Sequence, residues 1–109
     1  MTLVLDASAA VELVMARPGR SSIAAFLQNN EWVIAPSLYL YEVTNAMWKY
    51  HRLRKLELKY LQEKLRQAIA LVDEIIPAGD LCPEALRLSC QIGQTAYDAA
   101  YLSSRWISD

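Results

Sequence analysis

Apolar and polar positions alternate in blocks along this chain, and each block is bounded by a residue that stops or starts structure. Leu3-Val4-Leu5 is a short apolar run without alternation, which predicts a strand buried on both faces, as in parallel sheets. Asp6 ends it. From Ala7 to Ala16 good helix formers carry Ala10, Val11, Val14 and Met15 on one side, and Pro18-Gly19 stops the helix. Ser21 or Ser22 can cap a second helix running through Leu27 to Asn29-Asn30. Trp32-Val33-Ile34-Ala35, bounded by Pro36, predicts a second strand. Ser37 then caps a third helix reaching about His51, with Leu40, Val43, Met47 and Tyr50 on its apolar side.

Leu58 to Leu71 predicts a fourth helix, because Leu58, Leu61, Leu65, Ile69 and Val72 recur at helical spacing. Glu74-Ile75-Ile76-Pro77 predicts a third strand. A fifth helix opens at Asp80 or Pro83, runs to about Ile92 with Leu86 and Cys90 toward the core, and stops at Gly93. A sixth starts at Thr95 and places Asp98 in its first turn, where the helix dipole favours a carboxylate. Strands separated by helices imply one α/β domain, residues 1–109, of three α/β/α layers: a short parallel sheet with helices on both faces.

Composition narrows the class. The chain has 109 residues, is 54% hydrophobic and 21% charged, and carries a net charge of −1, so it is globular and not uniformly basic. The charge is unevenly spread. Seven of the eleven Lys and Arg residues fall between Lys49 and Arg66, against two acids, Glu57 and Glu63. The segment, with Lys49, Arg52, Arg54 and Lys55 its first four cations, could line a phosphate path, although such a run also reads as the solvated face of a helix. Cys82 and Cys90, about 12 Å apart along one helix axis, do not suit a mutual disulfide. No Cys/His grouping has zinc spacing, and the lone His51 reads as solvated. The N-terminus lacks signal-peptide character and no window is apolar enough to span a membrane, so the expected compartment is cytoplasmic with no membrane partner.

The acids carry the candidate chemistry. Asp6 follows the first strand, at the edge of the sheet where open α/β folds bind ligands. It reads equally as the N-cap of the next helix, and both readings stand on the sequence alone. Glu42 lies about a turn and a half into the third helix, on a polar stripe with Asn45 and Lys49. Asp98 opens a later helix. All three lie where the carboxyl edge of one sheet would gather them. Three carboxylates in one pocket repel one another unless a cation lies between them, and hard oxygen donors select Mg²⁺ or Mn²⁺. Metal-assisted phosphodiester hydrolysis is the economical chemistry for such a set.

Three segments resemble, in order, the motifs of the PIN domain: Leu3-Val4-Leu5-Asp6-Ala7-Ser8, then Tyr41-Glu42-Val43-Thr44-Asn45-Ala46, then Thr95-Ala96-Tyr97-Asp98-Ala99-Ala100-Tyr101-Leu102. The match is closest to the toxin ribonucleases of VapBC toxin–antitoxin modules and covers nearly the whole chain. The resemblance implies that Asp6, Glu42 and Asp98 are metal-binding, catalytic carboxylates and that Ser8 and Asn45 support them. It also implies an RNA substrate, a homodimer, and a VapB-type antitoxin whose peptide enters the acidic site. The family usually continues into a further strand, carrying another acid, and a last helix, whereas this chain stops at Trp106-Ile107-Ser108-Asp109. Two expectations follow: the first strand lies at a sheet edge that a dimer partner or a rearranged tail covers, and activity is weakened or lost. A non-catalytic, truncated or degenerate PIN-like module that binds protein or RNA is therefore the alternative to the nuclease. A phosphotransfer enzyme with Asp6 as nucleophile fits less well, because Ser8 stands where the dehalogenase-type fold wants a second Asp.

Overall fold

The computed structural model describes residues 2–29 and 32–93. Their order is β1 (Thr2–Val4), α1 (Ala7–Val14), α2 (Arg20–Gln28), β2 (Trp32–Pro36), α3 (Leu38–Arg54), α4 (Leu58–Ala70), β3 (Glu74–Ile76) and α5 (Ala78–Ile92). The expected sixth helix, with Asp98, lies outside the described residues.

The three strands form a parallel sheet in the order β1-β2-β3, with Leu3 opposite Val33 and Ala35 opposite Ile75. Pairing extends one step past β1 and β2: the Leu5 amide donates to the Ile34 carbonyl at 2.9 Å, and the Ser37 amide to the Ile76 carbonyl at 2.9 Å. All three strands therefore deliver the chain at one edge, into α1, α3 and α5. The strand buried on both sides is β2, whose Val33–Pro36 are all buried, while Thr2–Val4 of β1 are half-buried. Position in the sheet explains this difference from the sequence expectation. β2 has a neighbour on each side, and β1 is an edge strand among the described residues.

Alternation along β2 divides the core. Val33 and Ala35 face a cluster built with Leu5, Ala10, Val14, Tyr39, Val43, Met47, Leu61 and Ala68, from the segment entering α1 and from α1, α3 and α4. Ile34 faces the other way, onto Ile76 and Leu81 of α5, with Val4 packed against them. Helices thus cover both faces of the sheet, and the protein is a mixed α/β fold, mostly helical, around a small parallel sheet.

Several local expectations are corrected by the structure. α2 starts at Arg20, one residue before the serines, with Gly19 as a cap that makes no side-chain bond. The Gly19 amide instead donates to Glu12 Oε2 at 3.1 Å, and a Cβ on Gly19 would lie 2.9 Å from that oxygen, so glycine permits the approach. Ser37 occupies the N-cap of α3 without a side-chain bond, its backbone already helical at φ −59°, ψ −24° instead of extended as a capping residue's usually is. In α4, Leu61 and Ala68 are buried, with Leu65, and Val72 just past the helix, packed against the core. Leu58 is 63% exposed and Ile69 42% exposed, since they project about 60–80° and about 80–100° off the stripe through Leu61 and Ala68. α5 opens at Ala78, so Pro83 falls inside it and forfeits one helical hydrogen bond. In α5 Leu81 and Ala85 are buried, while Leu86 is 65% exposed and Cys90 is exposed. On a helical wheel these two lie about 140° and about 180° from Leu81, turned from the sheet. Gly93 ends α5 at φ 70°, as a C-terminal glycine should.

Candidate functional site

A cleft of about 640 Å³ opens between α1 and α3. From α1 come Ala7, Ser8, Ala9, Val11 and Glu12; from α3 come Glu42, Asn45, Ala46 and Lys49; Arg17 joins from the turn after α1. The α1–α3 packing that forms it follows from facing small and β-branched residues: Ala10 and Val14 of α1 share one cluster with Val43 and Met47 of α3. This burial fixes which residues of each helix turn outward along the seam. Glu42, Asn45 and Lys49, within about 60° of one another on the α3 wheel, all line it. Ser8 and Glu12 are their counterparts on α1, one turn apart.

Asp6 stands at the end of β1 and caps α1. Its Oδ1 accepts the Ser8 amide at 3.4 Å and its Oδ2 accepts the Ser8 hydroxyl at 2.9 Å. Capping is thus observed, and it fixes the carboxylate rotamer beside a cleft-lining residue. Asp6 is exposed and does not itself line the cleft. The structure accordingly brings Ser8, Glu42, Asn45 and Lys49 together, with Asp6 joined to them through Ser8. Asp98 falls outside the described residues. Arg52, Arg54 and Lys55 are exposed at the C-terminal end of α3 and its cap, away from the lining. Arg52 lies over the Trp48 ring, 5.3 Å from its centre. His51 is exposed, with its Nδ1 2.9 Å from the Leu56 carbonyl across the α3–α4 turn.

The residues that sequence reasoning missed are Glu12 and Arg17. Arg17 Nε is 3.0 Å from Glu12 Oε1, and an Arg17 guanidinium N–H donates to the Tyr50 hydroxyl at 2.8 Å. This bond to Tyr50, and then the charge of Glu12, hold the Arg17 guanidinium still further toward its charged form. The network ties the turn after α1 to α3 beside the cleft. The only sequence signal was the four-residue step from Ser8 to Glu12, which puts both on one face.

The oxygen donors at and beside the cleft are the Asp6, Glu12 and Glu42 carboxylates, the Asn45 amide and the Ser8 hydroxyl, with Glu12 already engaged by Arg17 and the Gly19 amide. They are hard ligands of the kind Mg²⁺ or Mn²⁺ takes. Among the described residues no three His, Cys, Asp or Glu side chains gather closely enough to hold a metal ion, so a three-carboxylate set needs a further acid from elsewhere in the chain. Also among the described residues, no helix is long and apolar enough to cross a membrane.

The fold and site define a mixed α/β protein with a polar cleft beside the carboxyl edge of a small parallel sheet. A scan against protein-family models finds no match, and a search of curated proteins finds none.

Proposed function

We propose that this protein is a Mg²⁺- or Mn²⁺-dependent endoribonuclease of the PIN type, the toxin of a toxin–antitoxin pair. The observation that carries the reading is the meeting of two of the resembling motifs at one cleft: Ser8, bonded to Asp6, faces Glu42 and Asn45. Ser8 and Glu42 are 34 residues apart in sequence, and nothing but the packing of α1 on α3 unites them.

In this reading Asp6 and Glu42 hold the cation, with Asp98 as the third carboxylate the resemblance implies. A divalent cation bound there would acidify a water and offset charge on the phosphoryl oxygens. Ser8 holds Asp6 in one rotamer, and the Asn45 amide orients a water or a phosphate oxygen next to Glu42. The Arg17–Glu12–Tyr50 network keeps α1 and α3 in register, so the groups stay preorganised. The same reading carries a homodimer and a VapB-type antitoxin, as the resemblance implies.

The test is cleavage of a single-stranded RNA with Mg²⁺ or Mn²⁺. Cleavage by the wild type that Glu42→Gln lowers at least a hundredfold, with RNA binding retained, supports the reading. RNA bound but never cut under either ion favours the non-catalytic module.

A further inference from the structure

We propose that Lys49 contacts a backbone phosphate of single-stranded RNA within the α1–α3 cleft, positioning the strand across Asn45 and Glu42; this rests on the ribonuclease reading above. Two described cations line the cleft, Arg17 and Lys49. Arg17 is already engaged, by Glu12 at 3.0 Å and Tyr50 at 2.8 Å. Lys49 is exposed and makes no hydrogen bond or ion pair among the described residues. It is therefore the cleft cation whose charge is available to a ligand.

The structure thus sorts the basic segment that the sequence left as one block. Arg52 is stacked on Trp48, Lys64 on Tyr60 at 5.4 Å, and Arg66 pairs with Glu63. None of these lines the cleft, and neither do Arg54, Lys55 or Lys59. Lys49 shares its helical face with Asn45 and Glu42 and stands two turns, about 10 Å, beyond Glu42 along the axis. That distance has two consequences. It is about three stacked nucleotides at ~3.4 Å each, so a phosphate at Lys49 belongs to the same short stretch as one beside Glu42. It also exceeds the screening length of about 8 Å at physiological ionic strength, so the Glu42 charge weakly opposes an anion there. Small side chains, Ala7, Ala9 and Ala46, also line the cleft and leave room for a sugar–phosphate backbone.

Fluorescence anisotropy of a labelled single-stranded oligoribonucleotide in EDTA, where nothing is cut, tests the assignment. The proteins are wild type, Lys49→Gln, Lys49→Arg, and Lys59→Gln on α4 as a charge-matched control, each checked by melting temperature. Loss of one phosphate contact lowers the slope of log affinity against log salt by about 0.7. Between about 50 and about 200 mM salt the wild type should therefore lose about 2.6-fold more affinity than Lys49→Gln. Lys49→Arg should keep the wild-type slope, and Lys59→Gln should keep it too. If the wild type binds and Lys49→Gln matches its slope and affinity, or Lys59→Gln changes the slope as much, the Lys49 assignment falls and the ribonuclease reading stands. If the wild type binds no RNA, both fall.

Discussion

Replacing Tyr39 by phenylalanine removes one oxygen from the centre of the larger core cluster, and the structure sets the size of the effect. Tyr39 is 0% exposed, and its hydroxyl donates to the Ala68 carbonyl at 2.6 Å, joining α3 to α4. The carbonyl is not orphaned by the change, because it also accepts the Leu71 amide at 3.3 Å. The cost is therefore that of one ordinary hydrogen bond and a small void, about 1–1.5 kcal/mol, or roughly 5 °C in melting temperature for a chain of this size. Burial also pushes the Tyr39 phenol well above its ordinary value of 10.0, and this fixes the sign at alkaline pH. The unfolded chain loses this proton near pH 10 while the folded chain keeps it, so the unfolded state binds fewer protons and wild-type stability falls as pH rises from there. The phenylalanine variant has no such proton to lose. At about one unit above the unfolded value the wild type has given up about 1.4 kcal/mol through this group, so the two stability curves should meet near pH 11. Urea unfolding of both proteins from pH 7 to pH 11.5 measures this, with the other tyrosines cancelling in the difference. Equal stability at pH 7, or a difference constant across the range, would refute the reasoning.

Two further changes probe the sheet and a turn. Asp73→Ala should cost about 1–3 kcal/mol in urea unfolding, since the Asp73 carboxylate accepts the Val33 amide at 2.7 Å and Val33 is buried. Asp73→Asn keeps an acceptor oxygen and should recover most of the loss; equal losses would remove the hydrogen bond from the explanation. Ala16 ends the turn after α1 at φ 54°, a left-handed conformation that costs a residue with a Cβ about 1–2 kcal/mol. Ala16→Gly should therefore raise the melting temperature by a few degrees after the greater freedom of glycine in the unfolded chain is counted, and a lower melting temperature would count against that strain.

What the sequence made legible was what local pattern controls. Strand and helix order among the described residues followed from apolar runs and stop signals, and the Gly93 terminus from the residue type that adopts its φ at least cost. The polar stripe of Glu42, Asn45 and Lys49 was legible from helical spacing, and it lines the cleft. The phase of α5 was not legible, because Leu86 and Cys90 are as apolar as Leu81 and Ala85, and only docking on Ile34 and Ile76 chooses between the two faces. Ser21 and Ser22 are good caps in isolation, yet the contact from Glu12 to Gly19 starts α2 earlier. Arg17 and Tyr50 are 33 residues apart, and no local signal connects them. Asp6 had two readings; its bonds to Ser8 make it a cap while leaving a carboxylate beside the cleft.

The most direct measurement of the central claim, a carboxylate metal site at the end of β1, is calorimetric titration of Mn²⁺ and Mg²⁺ into the wild type and Asp6→Asn. Asparagine caps a helix about as well as aspartate, so this variant removes the charge and keeps the start of α1. The account predicts saturable binding to the wild type that Asp6→Asn loses while its melting temperature stays within a degree or two. Equal binding to both proteins, or none to the wild type, would contradict it.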